Sequence, residues 1–202
     1  HLSACKDGRL EPRLDDGFRV FRWAHNPYPG SSENQYHRWL KTAFSDLYAK
    51  ARGSGFDDLP TEAHYSRWIG NETIDFLRES RDRSKPFCFV ANFFDPHHAF
   101  GAPKEYLERY RAEDLPRPVT REGELDGKPP ILTEASKESY AGHARGYLSY
   151  SEDELQEVKA AYWAMVSLVD DEVGRILAAL EEEGLADNTV VVFTSDHGEM
   201  LG

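Results

Sequence analysis

Apolar and polar positions along the chain fall into two kinds of pattern. From Gln35 to Arg52, Tyr36, Trp39, Leu40, Ala43, Phe44, Leu47 and Tyr48 recur at spacings of three and four, which predicts a helix ended by Gly53 and Gly55. Tyr65 to Arg78 repeats the spacing through Trp68, Ile69, Ile74 and Leu77, interrupted at Gly70. The longest stripe starts at Ser151, where Ser151 and Glu154 form a capping box. It runs through Leu155, Val158, Tyr162, Met165, Val166, Val169, Val173, Ile176, Leu177 and Leu180 to a stop at Gly184. Met and aromatic positions on this stripe are assigned to the core.

The second pattern is a short, nearly continuous apolar run. Phe87-Cys-Phe-Val-Ala-Asn-Phe-Phe94 opens after Pro86 and closes at Asp95-Pro96, and Thr189-Val-Val-Val-Phe-Thr-Ser195 follows the long helix. Both read as strands buried on two faces. Strand, excursion, long helix and strand make a βαβ-type crossover, so the two runs are expected to be parallel. The excursion, residues 101–150, is rich in Pro and charge, with one short helix near Lys104–Tyr110. Residues 1–35 read as ordered loop with a short strand at Phe18–Trp23. The fold class is therefore α/β, a mainly parallel sheet flanked by helices, supplied here as a partial domain. His1 is not preceded by an initiator Met and the chain stops soon after the second run, so it is expected to be an interior piece of a longer protein.

Composition narrows the choices. Hydrophobic residues make up 40% and charged residues 30% of the 202 residues, which argues for a globular chain with a core. A formal net charge of -12 opposes binding to nucleic acid or to anionic membrane surfaces. No apolar run approaches the roughly 20 residues that a bilayer span needs. Cys5 and Cys88 lack partners at metal-ligand spacing, and Cys88, inside an apolar run, is expected to be a buried thiol.

Chemistry gathers where the apolar runs end. The carboxyl edge of a parallel sheet is where α/β proteins bind ligands. The first run ends in Asp95-Pro-His-His98 and the second in Asp196-His-Gly198. A core strand has no use for an acid and an imidazole at its tip. Together they offer a divalent metal or an anionic substrate a carboxylate and a ring nitrogen, and one crevice explains both tips. The bland alternative makes Asp95 and Asp196 turn or cap residues and the histidines incidental.

Lys85-Pro-Phe-Cys-Phe-Val-Ala-Asn-Phe-Phe-Asp-Pro-His-His-Ala-Phe100, followed by Pro103, Tyr106 and Tyr110, resembles the central segment of the sulfatase family, within the alkaline phosphatase superfamily. Tyr162, Asp170, Gly174, Leu177 and Leu180, leading into Asp187-Asn-Thr-Val-Val-Val-Phe-Thr-Ser-Asp-His-Gly198, are similar to the same family's helix and metal-binding strand. The resemblance is specific over Lys85–Gly202 and looser before it.

The resemblance implies an alkaline phosphatase-like fold and a set of roles. Asp196 would be a metal ligand, and His197 a neighbouring ligand or an anion-contacting group. The ion would be calcium, which suits hard oxygen donors, with manganese or another divalent ion left open by the imidazole. His97 matches the histidine that contacts the sulfate and helps protonate the leaving oxygen, a task that suits a side chain titrating near neutrality. His1, followed by Leu2-Ser3, resembles the end of a Gly-Lys-x-His-Leu stretch whose histidine orients the nucleophile. His98 is expected to be a turn or supporting residue. His25, His37, His64 and His143 default to surface or satisfied polar roles.

The departures matter equally. The family's nucleophile is a formylglycine made in a Cys/Ser-x-Pro/Ala-x-Arg motif, and Cys5-Lys-Asp-Gly-Arg9 lacks the required third residue. The paired aspartates that complete the metal shell and a later lysine are also missing, so this chain alone is expected to be inactive. The implied activity of the intact protein is hydrolysis of a small-molecule or saccharide sulfate ester, with the formylglycine attacking sulfur in line. Phosphonate monoester or phosphodiester hydrolysis is the nearest alternative, because the same oxoanion geometry accepts phosphorus. A non-catalytic binding module and a transferase are further alternatives.

Overall fold

The computed structural model describes residues 17–24, 34–54, 56, 59–119, 121–137, 145–199 and 201. They belong to two compact units, residues 1–94 and 95–202. His1, Cys5, His25 and His143 lie outside the described residues.

The first unit is helical. The stripe from Gln35 forms α1 (Gln35–Ala43) and α2 (Ser45–Ser54) instead of one helix. The break is at Phe44, whose φ of -138° and ψ of 58° leave the helical region. Apolar spacing continues across it because the Phe44 ring still packs against Trp39, 5.4 Å away. Asn34 caps α1 by accepting from the His37 N–H. The second stripe forms α3 (Tyr65–Asp75), which loosens into a single π turn over Phe76–Ser80.

Tyr36, Leu40, Phe56, Leu59, Tyr65, Trp68 and Ile69 form this unit's core. Tyr36 meets Tyr65 edge-on at 5.2 Å, and its hydroxyl donates to the Ala63 carbonyl. Two of the unassigned histidines are explained here. His37 is buried against Phe56 and Tyr48, and buried His64 caps α3 by accepting from the Ser66 N–H. Both are buried in this unit, His64 as a helix cap and His37 among aromatic rings.

The run Phe87–Phe94 carries no regular hydrogen-bonded structure, but its side chains alternate. Phe87 and the partly exposed Phe89 pack against Phe76, and Ala91 and Phe93 pack against the core, while Cys88, Val90 and Asn92 are exposed; the alternation ends at Phe94, which also meets the core through Tyr65. That period of two is the signature of extended chain with one face covered. Burial on both faces is therefore not observed here, and Cys88 is exposed instead of buried because it lies on the uncovered face. Phe18–Trp23 likewise forms no strand.

In the second unit everything hangs on α6 (Glu152–Glu182). The capping box read from the sequence is present: the Glu154 N–H donates to Ser151 Oγ, and the Ser151 N–H to the Glu154 carboxylate. Gly184, with φ of 66°, follows the helix end as a left-handed stop. The excursion contains α4 (Lys104–Leu107), as the pattern predicts, and also α5 (Pro130–Lys137), which it does not. A proline is acceptable at the first position of a helix, where its missing N–H costs nothing.

Ala102, Tyr106, Ala164, Met165 and Leu168 form this unit's core, with Phe100, Leu107 and Tyr110 against it. The Tyr106 hydroxyl donates to Asp171 at 2.8 Å, and Arg109 pairs with the same carboxylate while covering the Tyr106 ring. Tyr110 bonds Ser167 at 2.5 Å and meets Trp163 edge-on. The two spaced tyrosines thus fasten residues 100–110 to one side of α6. By contrast, Thr189–Ser195 forms no ladder among the described residues and is open to solvent, with Val190 90% and Val192 79% exposed. No helix among the described residues is long and apolar enough to cross a membrane.

Candidate functional site

Asp95 to Phe100 is a half-buried turn, in which the Asp95–Pro96 and His98–Ala99 peptides are cis. The rings of His97 and His98 stack at 4.1 Å, and His97 Nδ1 contacts the His98 carbonyl. His98 then meets Phe100 edge-on at 5.9 Å, and Phe100 meets Tyr162 of α6 at 6.1 Å. His98 thus lies between the His97 ring and Phe100. Because Ala102 and Tyr106 are buried just downstream, the turn is held from its C-terminal side by core packing.

The second tip is built locally. The Ser195 hydroxyl donates to the His197 carbonyl at 2.5 Å, and the His197 N–H donates to Asp196 Oδ1 at 2.9 Å. His197 Nδ1 lies 3.0 Å from the Gly198 carbonyl. A ring N–H donated there leaves Nε2 with a lone pair for a cation. The hydrogen bond to Gly198, then the Asp196 carboxylate, hold the His197 pKa above the ordinary histidine value. A cation at Nε2 therefore competes with a proton for that lone pair.

Asp196 Oδ2 and His197 Nε2 are 3.7 Å apart, on side chains 88% and 75% exposed. One divalent ion with bonds of about 2.0–2.6 Å to oxygen and nitrogen spans such a gap. The pair fits a metal as part of a shell, and among the described residues no group of three or more His, Cys, Asp or Glu gathers to hold an ion.

Tyr162 packs on Phe100, and Glu199, three residues beyond Asp196, acts electrostatically on its phenol. Burial, then the Glu199 carboxylate, raise the Tyr162 pKa and keep the hydroxyl protonated. The sequence pattern assigns Tyr162 only to the core stripe. Its one available signal is the hydroxyl itself, which a purely apolar position would not require.

Comparison with known proteins gives a consistent result. The family model described as Sulfatase matches residues 17–202. An arylsulfatase of Clostridium perfringens is 38% identical over 207 residues, which cover 100% of this chain and 39% of that protein. The multifunctional alkaline phosphatase superfamily protein PehA of Trinickia caryophylli is 32% identical, covering 96% of this chain and 38% of the relative. Among solved structures, the phosphonate monoester hydrolase of Agrobacterium radiobacter superposes with a TM-score of 0.70 at 25% identity, over 87% of this chain and 40% of that one. The chain therefore spans about two-fifths of the length of the relatives it matches.

Proposed function

The chain belongs to the sulfatase family, and from that premise we propose that the intact protein is a metal-dependent sulfuric ester hydrolase to which this chain contributes two site-forming segments. The observation that supports the reading is the Asp196 carboxylate 3.7 Å from His197 Nε2 at the end of one apolar run, while the other run leads into the stacked His97 and His98 rings.

In this reading Phe87–Phe94 and Thr189–Ser195 are parallel strands of an alkaline phosphatase-like sheet. The exposed apolar side chains of both runs support it, since such surface is stable only when covered. Asp196 and His197 hold the ion, calcium by the preference of carboxylate oxygen and manganese as the other choice for a site with an imidazole. When bound, the ion neutralises charge that develops on the ester oxygens. His97 contacts the sulfate and delivers a proton to the departing alcohol oxygen, and Phe100 and Ala102 hold the turn that carries it. His1 orients the nucleophile, a formylglycine that this chain does not contain.

The substrate is a small-molecule or saccharide sulfate ester. A second reading, phosphonate monoester hydrolysis, draws on the likeness to the hydrolases of Agrobacterium radiobacter and Silicibacter pomeroyi, with TM-scores of 0.70 and 0.66. Assays of the full-length protein with paired aryl sulfate and aryl phosphonate esters decide between them. Higher kcat/KM on the sulfate is expected, and a strong preference for the phosphonate overturns the sulfatase assignment.

A further inference from the structure

We propose that His98 is a positioning residue: its carbonyl holds the Nδ1 side of His97 and its ring holds the His97 plane, so that Nε2 is the nitrogen that delivers a proton to the departing ester oxygen. The inference deepens the functional reading above and rests on it.

Three observations carry it. First, His97 Nδ1 contacts the His98 carbonyl. A carbonyl oxygen only accepts, so the N–H that meets it is the one on Nδ1, and the neutral ring keeps its lone pair on Nε2. Second, the two imidazoles are stacked, with centroids 4.1 Å apart and planes 28° from parallel. The hydrogen bond fixes one edge of the His97 ring, and the stack limits tilting about that edge. Third, the His98 ring has backing of its own. It meets Phe100 at 5.9 Å, Phe100 meets Tyr162 of α6 at 6.1 Å, and Phe100 packs against the core of Ala102, Tyr106, Ala164, Met165 and Leu168. Any apolar side chain at residue 98 would serve packing alone. A flat ring nearly parallel to His97 is what a planar acid needs.

In the reaction the nucleophile's oxygen bonds sulfur while the bond from sulfur to the ester oxygen breaks, and its electron pair stays with that oxygen. The Nε2 proton of the His97 imidazolium passes to the same oxygen. The ring is left neutral with its hydrogen on Nδ1, the form that the His98 carbonyl accepts. Such a proton is worth most where the leaving oxygen is basic. A displaced acid therefore harms esters of weakly acidic alcohols more than those of acidic phenols, whereas a loss of folded protein harms both equally.

The test uses the full-length protein and two esters, phenyl sulfate and the more easily cleaved para-nitrophenyl sulfate. His98→Ala is expected to lower kcat on phenyl sulfate about tenfold and on para-nitrophenyl sulfate less than about threefold, with KM for both within about twofold of native. His98→Phe, which keeps a flat ring, is expected to recover most of the loss. In a His97→Ala background, His98→Ala is expected to cost nothing further, since the group it positions is gone. If His98→Ala does not fold, His98→Leu takes its place with the same expectation. Equal losses on the two esters overturn the proposal, and so does a sulfate oxygen seated against His97 Nδ1 in a crystal of the intact protein. His97→Ala separates the two levels: if both rates stay native, the role of His97 itself fails; if the phenyl sulfate rate falls there but not in His98→Ala, only the positioning role fails.

Discussion

The two histidine-bearing tips are built in opposite ways. The turn at Asp95–Phe100 is half-buried and leads directly into a core in which Tyr106, Tyr110 and Arg109 bond to α6. The segment Asp196–Glu199 follows an apolar run that is almost fully exposed and is shaped chiefly by its own hydrogen bonds. The first tip is thus determined by residues of this chain. The second takes its local shape from this chain but needs cover for Val190–Phe193, so its setting depends on surface that must pack against that run. In the proposed roles, a proton-transferring His97 gains from rigid placement, whereas Asp196 and His197 form only part of a metal shell.

The comparison leads to distinct losses at the two tips. The largest is expected for His97→Ala in the intact protein: kcat falls about 10²–10⁴-fold, the usual contribution of a general acid, while metal content by elemental analysis stays at the native level. Metal loss in that variant would mean that the tips are not functionally separate.

Next in size is Leu168→Ala. Leu168 is fully buried in the core that backs the first tip, so truncation is expected to cost about 2–5 kcal/mol, measured by denaturant unfolding. Tyr106→Phe is smaller. It removes a bond to the partly exposed Asp171 carboxylate, and about 1 kcal/mol is expected, with the loss suppressed when Asp171→Asn is already present.

The smallest effect is a pH dependence at the start of α6. The Ser151 N–H, then the Arg145 guanidinium, hold the Glu154 carboxyl below the ordinary carboxylate range. A depressed pKa contributes stability above the unfolded-state value, and that contribution is lost as pH falls through the folded-state value. Glu154→Gln is therefore expected to lower Tm at neutral pH and to flatten the acid limb of a Tm-versus-pH curve. A variant curve parallel to the native one would rule out the linkage.

Legibility in the sequence follows the same divide. Elements whose ends are set by local chemistry were readable: Ser151 with Glu154 starts α6, and Gly184 stops it. Elements whose character depends on distant cover were not. Cys88 and Val90 have the apolar identity of a two-sided core strand, yet both are exposed while their neighbours Ala91, Phe93 and Phe94 meet the helices of the unit. The break at Phe44 was hidden because its ring keeps the helical register by packing on Trp39. At the candidate site, acid-histidine pairs at the ends of apolar runs single out Asp196, His197 and His97 as the proposed residues, whereas the packing of His98 on Phe100 and of Phe100 on Tyr162 was not legible, because no spacing rule distinguishes those rings from ordinary core positions.

The central claim is that Asp196, His197 and His97 serve one anion-binding centre. A crystal structure of the intact protein loaded with calcium or manganese and sulfate, with the ion located by anomalous scattering, tests it. The expected result is an ion bonded to the Asp196 carboxylate and a sulfate oxygen within hydrogen-bonding reach of His97. An ion bound away from Asp196, or a His97 turn on the far side of packed interior from the sulfate, would contradict it.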